Sequence, residues 1–208
     1  MLPNRLRLLL LSLALTLLPG SLGAAFPKQE LAPEERTFTG QLLIASPGMR
    51  DPRFQRTVVL IVRHDRNGAL GITINRPVGE RSLATLMQAM GDSTVTQAKS
   101  VRIFAGGPVQ PELGFVIHSA DYQRPETIDI DGRLAMTASR EILRDIGGGK
   151  GPQQSLIAFG YAGWAPGQLE AELAHRAWVT APADTRLIFE ADRDKLWDDA
   201  YAQRTQDL

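Results

Sequence analysis

Residues 160–173, with the sequence GYAGWAPGQLEAEL, are the most informative part of this chain. The apolar run before them, residues 155–159, is too short for a helix and predicts a buried strand. Gly160 and Gly163 tolerate backbone angles or close approaches that a side chain forbids, so we expect a tight turn there. Pro166 suits the first position of a helix, where its missing N–H group has no consequence. The segment therefore predicts a strand, a glycine turn and a helix.

Two interpretations of this segment are open. In the structural interpretation, Trp164 is a large apolar anchor, and the strand, turn and helix pack as one joint. In the functional interpretation, the start of the helix binds an anion. Glu170 and Glu172 favour the structural interpretation, because both carboxylates lie near the helix start and would repel a phosphate there.

The composition is that of an ordinary globular chain, and it limits the partners. A hydrophobic content of 43% in 208 residues is sufficient for one domain with a sizeable core. Lysine plus arginine and aspartate plus glutamate both total 23, so there is no basic field, and we expect no direct nucleic-acid binding. The absence of cysteine excludes a disulfide, a thiolate nucleophile and a zinc–thiolate site.

The amino terminus has the order of a secretory signal peptide. Arg5 and Arg7 precede an apolar run at residues 8–18, which only Ser12 and Thr16 interrupt, and small residues within 21–25 offer a cleavage site. The apolar run is shorter than the roughly 20 residues that a membrane span needs. We therefore expect a signal peptide at residues 1–25 and export, to the periplasm. The alternatives are an uncleaved leader that holds the chain on a membrane, a wrongly assigned start codon and a cytoplasmic location.

After a polar linker at residues 26–37, the pattern of a single domain extends over residues 38–208. Short apolar or β-branched runs predict strands at 41–45, 57–62, 69–75, 101–104, 113–118, 127–130, 134–136, 155–159 and 186–190. Apolar stripes at helical spacing predict helices at 83–90, at 139–146, from 168 onwards and at 194–204. Ser82 is the predicted N-cap of the first of them. Asn67-Gly68 and Asp131-Gly132 predict hairpin turns. Because hairpins join many of the strands and helices are interspersed among them, the sequence predicts an α+β fold with a mostly antiparallel sheet.

Several motifs between residues 38 and 201 resemble those of the YqgE/AlgH family. They are GQLLIA at 40–45, GALG at 68–71, INRP at 74–77, GGPV at 106–109, GF at 114–115 with His118, and residues 160–172. The resemblance implies a compact α+β fold whose branched, strongly bent sheet forms a pseudo-barrel with interspersed helices. It also implies a cytoplasmic protein of poorly defined function, since some members are called transcriptional regulators without a recognisable DNA-binding motif. The predicted leader departs from that pattern, and export would exclude a direct role on DNA.

His64 and His118 are the candidates for catalysis. Each ends a predicted strand, and converging strand ends could join the imidazoles to a carboxylate as a metal or general-base site requires. No HxH or HExxH spacing supports a metal site, so hydrogen-bonded structural histidines are the competing interpretation. Ser46 and Ser119 are possible nucleophiles, but neither lies in a G-x-S-x-G elbow. A hydrolase or metal-dependent enzyme using His64 or His118 is therefore the alternative to a binding protein.

Asn75, Arg76, Gly106 and Gly107 are the stronger candidates for a binding site. Polar side chains and exposed backbone N–H groups at adjacent strand ends can hold a carboxylate or a phosphate. The competing interpretation is that Arg76 bridges loops while the glycines form a turn. We add His118 to this predicted binding set.

The sequence thus favours a non-enzymatic binding or regulatory module. The expected partner is an unknown protein or a small anionic ligand, and contact with a membrane is expected only through an uncleaved leader. This favoured interpretation includes no catalytic residue, cofactor or metal-ligand set, and the oligomeric state is open.

Overall fold

The computed structural model describes residues 37–94, 96 and 98–205. The predicted signal peptide at residues 1–25, and the predicted linker up to residue 36, lie outside these residues. All of the described residues belong to one compact unit. None of the helices in the described part of the chain has the length and apolar character that a membrane crossing requires.

Ten strands and five helices follow one another along the described residues. The strands are β1 (Gln41–Ala45), β2 (Val58–Asp65), β3 (Gly68–Thr73), β4 (Pro77–Ser82), β5 (Ser100–Ala105), β6 (Val109–Ser119), β7 (Ile128–Asp129), β8 (Leu134–Thr137), β9 (Ser155–Trp164) and β10 (Trp178–Pro182). The helices are α1 (Leu83–Ala89), α2 (Glu141–Gly147), α3 (Gln168–Ala174), α4 (Thr185–Phe189) and α5 (Leu196–Ala202). The α+β class predicted from the sequence is confirmed.

The strands form one curled, mostly antiparallel sheet with the shape of a half-barrel. Its main order is β10-β1-β2-β3-β9-β6-β8-β7, and β5 pairs with both β9 and β4. β5 and β9 run parallel, with Ile103 opposite Ile157. Because β9 pairs with β3, β5 and β6, the sheet branches at β9, as the family resemblance implies.

Gly160 is the point in β9 at which the pairing changes. Ile157, before it, pairs with β5 and β6, whereas Trp164, after it, pairs with β3. Gly160 has a φ of +74°, which L side chains rarely adopt, and a Cβ there would lie 2.4 Å from the carbonyl oxygen of Gly107. Glycine therefore allows the strand to bend from one branch of the sheet into the other.

β1 and β2 are buried on both faces, which explains their continuous apolar sequences. Alternate side chains of a strand point to opposite faces. Leu42 and Leu60 accordingly belong to one core cluster, and Leu43 and Val59 belong to a second. Residues of α4 and α5 complete the first cluster, while Leu169 of α3 completes the second.

A third core cluster holds α1 and α2 against β5 and β9. Leu83 and Met87 of α1 meet Ile142 of α2 in this cluster. The predicted N-cap of α1 is confirmed, because Ser82 Oγ accepts a hydrogen bond from the N–H of Thr85 at 3.0 Å. The capped helix closes the sheet on the side of its parallel strand pair.

The predicted glycine turn after residue 159 is wrong. β9 continues through Gly160 and Gly163 to Trp164, because the first glycine bends the strand while its pairing continues. The helix then begins at Gln168, so Pro166 precedes it instead of occupying its first position.

The strand predicted at residues 186–190 is also wrong, since most of them form α4. The carboxylate of Asp184 caps this helix by accepting a hydrogen bond from the N–H of Arg186 at 2.8 Å. Leu187 and Ile188 then bury their side chains in the first core cluster. Capping and burial thus override the β propensity of this segment. The two strands that the pattern does not predict, β4 and β10, each have a proline at one end, which weakens the strand signal.

Candidate functional site

Asn75 lies between β3 and β4 and fixes the segment that enters β2. Its Oδ1 accepts a hydrogen bond from the N–H of Val58 at 2.9 Å. Its Nδ2 donates to the carbonyl oxygen of Arg56 at 2.8 Å. The amide group therefore joins two parts of the chain, and it positions the residues around it.

Arg76 follows Asn75 and reaches the same segment. Its Nε and Nη2 donate to Oγ1 of Thr57 at 3.2 and 2.9 Å, and Nη2 also donates to the carbonyl oxygen of Gln55 at 2.8 Å. Arg76 takes part in none of the ion pairs formed among the described residues. The guanidinium group is thus held in one orientation while its charge has no acidic partner in the described part of the chain.

Gly106 and Gly107 link β5 to β6 and pack against the backbone of β9. The N–H of Gly106 donates to the carbonyl oxygen of Phe159 at 2.7 Å. A Cβ at Gly106 would lie 2.3 Å from the carbonyl oxygen of Gly160, and one at Gly107 would lie 2.1 Å from the carbonyl carbon of Tyr161. The close approach of two backbones therefore requires both glycines.

The structure brings four of the five predicted binding residues together. The N–H of Ala105 donates to the carbonyl oxygen of Arg76 at 2.9 Å, and the N–H of Thr73 donates to the carbonyl oxygen of Gly106 at 2.8 Å. These bonds hold the link from β3 to β4 beside the link from β5 to β6. His118 belongs to β6 and is buried away from this group.

Arg76 lines a cavity of about 580 Å³, which we call the arginine pocket. The other lining residues are Ser46, Pro47, Met49, Pro52, Gln55 and Arg56. Arg56 lies over the ring of Trp197, with 4.3 Å from Cζ to the ring centroid, and pairs with Asp198 at 2.7 Å. No acidic side chain occurs among these described lining residues, so the wall of the pocket carries two guanidinium groups.

A second cavity, of about 250 Å³, shares Met49 with the arginine pocket, and we call it the aromatic groove. Its apolar lining includes Met49, Phe54, Pro108, Val109, Trp164 and Trp178. The ring of Trp178 meets those of Phe54 and Trp164 edge to face, with centroids 5.5 and 6.0 Å apart. Because Pro108 directly follows Gly107, the glycine link positions one wall of the groove.

Glu172 of α3 joins the walls of the aromatic groove. Its Oε2 accepts hydrogen bonds from Nε1 of Trp164 at 2.8 Å and from Nε1 of Trp178 at 2.7 Å. Its Oε1 accepts a hydrogen bond from Nε2 of Gln168 at 2.8 Å. The sequence pattern assigns Glu172 only to the start of a helix. The contact with two indole groups depends on β10, a strand that the pattern does not predict.

Both ring nitrogens of His118 form hydrogen bonds inside the fold. Its Nδ1 lies 2.9 Å from the carbonyl oxygen of Ser119, which can only accept, so Nδ1 carries a proton. Its Nε2 lies 2.9 Å from Oγ1 of Thr137, whose hydroxyl group donates to it. The ring also packs edge to face on Tyr122. Burial lowers the pKa of His118 below its ordinary value, which favours the neutral imidazole.

His64 forms a pair with Glu170 of α3. Its Nε2 lies 2.6 Å from Oε1 of Glu170, and the N–H of Phe38 donates to its Nδ1 at 3.2 Å. Because Nδ1 accepts a hydrogen bond, the proton of the neutral ring is on Nε2 and is donated to Glu170. The pair lines a cavity of about 520 Å³ that also includes Asp65. The carboxylate partner of His64 therefore comes from α3, and not from the neighbouring residue in sequence.

Within the described part of the chain, no hydrogen bond joins the imidazole of either predicted histidine to the hydroxyl group of either predicted serine. The hydroxyl group of Ser119 donates to Asp121. Ser46 lines the arginine pocket, whereas His64 and His118 belong to β2 and β6, which are not neighbours in the sheet. The described residues contain no group of three or more His, Cys, Asp or Glu side chains that could hold a metal ion.

Known proteins match nearly all of the described residues. Residues 42–208 match the family described as DUF179, AlgH-like. A UPF0301 protein of Rhodospirillum rubrum is 43% identical over 166 residues, which cover 79% of this chain and 86% of that protein. A UPF0301 protein of Methylococcus capsulatus is 43% identical over 165 residues, covering 79% of this chain and 87% of that protein.

Two solved structures have the same fold. The solution structure of the AlgH protein from Pseudomonas aeruginosa matches with a TM-score of 0.70 and 40% identity, covering 84% of this chain and 92% of that chain. The crystal structure of a protein from Corynebacterium diphtheriae matches with a TM-score of 0.60 and 22% identity, covering 79% and 86%. The second match concerns the fold alone.

Proposed function

The chain belongs to the YqgE/AlgH family. We propose that it is a non-enzymatic binding module with a regulatory role. It recognises a carboxylate or phosphate group in the arginine pocket. The group is carried by a partner protein or by a small anionic ligand. The aromatic groove, which shares Met49 with the pocket, contacts the apolar atoms next to that group.

The observation that carries this proposal is the unpaired charge of Arg76. The hydroxyl group of Thr57 and the carbonyl oxygen of Gln55 fix the guanidinium group through Nε and Nη2. No hydrogen bond engages Nη1 among the described residues, so this nitrogen is the free donor for a ligand oxygen. A donor held in place before binding loses little conformational entropy when the ligand arrives.

The second guanidinium group of the pocket adds to this recognition. Arg56 pairs with Asp198, but both side chains are more than half exposed, so solvent weakens their attraction. An anion in the pocket can therefore bind both to Arg76, which is fixed, and to Arg56, which can exchange Asp198 for the anion. Carboxylate and phosphate oxygens both accept charge-assisted hydrogen bonds, so the free Nη1 of Arg76 suits either form of the ligand.

The alternative is an enzyme that uses His64 in the cavity beside Glu170. One observation favours it: the imidazole–carboxylate pair at 2.6 Å is the arrangement that orients a catalytic base. In the established triads the carboxylate bonds one ring nitrogen while the other faces the nucleophile. Here the N–H of Phe38 donates to that other nitrogen at 3.2 Å. A binding role for the protein therefore has the stronger support.

An NMR titration of the full chain with sodium acetate and with inorganic phosphate tests the proposal. We expect saturable shifts at Nε–H of Arg76 and at the backbone amides of residues 46–56. Arg76→Lys keeps the charge but removes the Nη1 donor that the other nitrogens hold in place, so it should weaken binding by about tenfold or more. The matched control is Arg186→Lys, because Arg186 lies on α4 and lines neither cavity. Its affinity should equal that of the unsubstituted protein.

Melting temperatures of the same variants show whether Arg76 binds the ligand or only stabilises the fold. Retained affinity together with a lowered melting temperature in Arg76→Lys would assign Arg76 to loop bridging and would overturn the proposal. Equal affinity in all three proteins, or no saturable shift with either probe, would also overturn it. For a protein partner, capture by the unsubstituted chain should exceed capture by Arg76→Lys under the same conditions.

We also propose that the protein is exported and acts in the periplasm. The support is the order of Arg5 and Arg7, the apolar residues 8–18 and the small residues 21–25. Mass spectrometry of the native protein should give a mature start near Ala24 or Phe26. A soluble cytoplasmic form that retains Met1 would contradict export and would return the chain to the location usual for the family.

A further inference from the structure

A cavity of about 330 Å³ lies where the parallel strands β5 and β9 begin. It shares no lining residue with the arginine pocket or the aromatic groove. Three cationic side chains, Lys99, Arg102 and Arg193, and one acidic side chain, Glu80, line it. Glu80 pairs with Arg102 at 3.3 Å. The cavity therefore has two positive charges that no acidic lining residue balances.

Arg193 follows α4, and the nitrogens on one side of its guanidinium group donate no hydrogen bond to the described residues. Its Nη1 donates to the carbonyl oxygen of Leu187 at 3.2 Å, and its Cζ lies 5.3 Å from the ring centroid of Phe104. Among the described residues, neither its buried Nε nor its Nη2 has a hydrogen-bond partner. Nε and Nη2 together form the side of the guanidinium group that can grip two oxygens of a carboxylate or phosphate. A buried donor without an acceptor lowers stability, so an acceptor at this edge would stabilise the fold.

The surrounding charges do not compensate Arg193. None of the ion pairs among the described residues includes it. Burial, and next the positive charge of Arg102, lower the pKa of Arg193 below its ordinary value. A partly buried cation beside another cation is unfavourable unless an anion joins them. The charge pattern and the unused donors therefore point to the same missing partner, an oxyanion.

We propose that this cavity binds a small phosphate monoester with an apolar or aromatic body. A phosphate monoester carries about −1.5 to −2 charges at pH 7, which matches the two unbalanced positive charges better than a single carboxylate does. Its oxygens accept from Nε and Nη2 of Arg193, while Lys99 and Arg102 supply further positive charge. Phe104 and Phe189, which line the same cavity, contact the apolar body. Because Nε is covered by protein atoms, binding includes a small turn of the guanidinium group towards the cavity.

Calorimetric titration of the full chain with three probes tests the charge and the apolar body separately. The probes are phenyl phosphate, inorganic phosphate and the neutral benzyl alcohol. Phenyl phosphate should bind at least about tenfold more tightly than either of the others, because each of them lacks one of the two interactions. If benzyl alcohol bound as tightly as phenyl phosphate, the assignment of an oxyanion site would be wrong. If inorganic phosphate bound as tightly as phenyl phosphate, the proposed contact with an apolar body would be wrong.

Variants locate the bound probe. Arg193→Met keeps the apolar stem but removes the donors, so affinity for phenyl phosphate should fall by about tenfold or more. The control Arg186→Met removes an arginine whose side chain is 80% exposed, and it should leave the affinity unchanged. An unchanged affinity in Arg193→Met would overturn the proposal. If that variant fails to fold, Arg102→Gln takes its place, and an unchanged affinity in that variant would have the same meaning.

The melting temperature without ligand gives a second, independent readout. A desolvated, unpaired charge disfavours folding, so Arg193→Met should melt at or above the temperature of the unsubstituted protein. Phenyl phosphate should raise the melting temperature of the unsubstituted protein but not that of the variant. A variant that melts lower and still responds to phenyl phosphate would show Arg193 to be a scaffold residue.

Discussion

Trp164 and Trp178 donate their indole N–H groups to the same atom, Oε2 of Glu172, at 2.8 and 2.7 Å. The two rings come from β9 and β10, and their centroids are 6.0 Å apart. One carboxylate of α3 thus joins two strands that do not pair with each other. The walls of the aromatic groove depend on this arrangement.

Glu172→Ala should therefore destabilise the protein by about 2–4 kcal/mol, because it removes hydrogen bonds to a charged group and leaves two indole donors without their acceptor. Urea denaturation monitored by tryptophan fluorescence measures the change. Glu126→Ala is the control, because Glu126 is exposed and forms none of the ion pairs among the described residues. Equal stability of the two variants would show that Glu172 does not hold the groove together.

Trp164→Ala should destabilise the fold by roughly 3–5 kcal/mol, the range for truncation of a buried aromatic side chain. Trp164 is 7% exposed and belongs to the second core cluster. The measurement is the free energy of unfolding from urea titration. A loss below about 1 kcal/mol, the size of a benign surface change, would place the ring at the surface as a binding residue instead.

The sequence was sufficient to predict those elements that a few neighbouring residues specify. The apolar runs of β1 and β2, the Ser82 cap of α1 and the Asn67-Gly68 hairpin all occur as predicted. Residues 186–190 show the limit of this approach. Their β propensity competes with the Asp184 cap and with burial, and tertiary context decides between them.

The proximity of four of the five predicted binding residues could be predicted from the sequence, whereas their contacts could not. Asn75, Arg76 and the two glycines of the β5–β6 link do lie together, because β3 and β5, which end just before them, both pair with β9. The hydrogen bonds of Arg76 to residues about 20 positions earlier could not be predicted, since they depend on how the loop before β2 folds back. The unpaired donors of Arg193 could not be predicted either, because they depend on which acceptors the fold places around the guanidinium group.

His118 should make stability depend on pH. Burial lowers its pKa in the folded protein below the ordinary 6.5, whereas the unfolded chain keeps a value near 6.5. Below pH 6.5 the unfolded state therefore binds more protons, so stability is full above this pH and falls as the pH drops towards the folded-state pKa. His118→Gln should flatten this part of the profile.

Urea midpoints measured between pH 8 and pH 4.5 check this expectation, and NMR titration of the imidazole gives the pKa directly. The control is His175→Gln, because His175 is exposed, and the same flattening in this variant would show that the effect is not specific to His118. An imidazole of His118 that titrates above 6.5 would reverse the sign and refute the explanation by burial.

Gly107→Ala should destabilise the protein by at least about 2 kcal/mol, as overpacking against an immobile neighbour does. The added Cβ would lie 2.1 Å from the carbonyl carbon of Tyr161, and a backbone atom cannot avoid it by changing rotamer. Because Pro108 and Val109 follow directly and line the aromatic groove, the substitution should also change the near-ultraviolet circular dichroism of the groove tryptophans. Gly48→Ala is the matched control, since a Cβ there would meet nothing within 4 Å, and its stability should change by no more than about 0.5 kcal/mol. If Gly107→Ala were as mild as Gly48→Ala, the β5–β6 link would have room to move, and the GGPV motif would be better explained by a ligand than by packing.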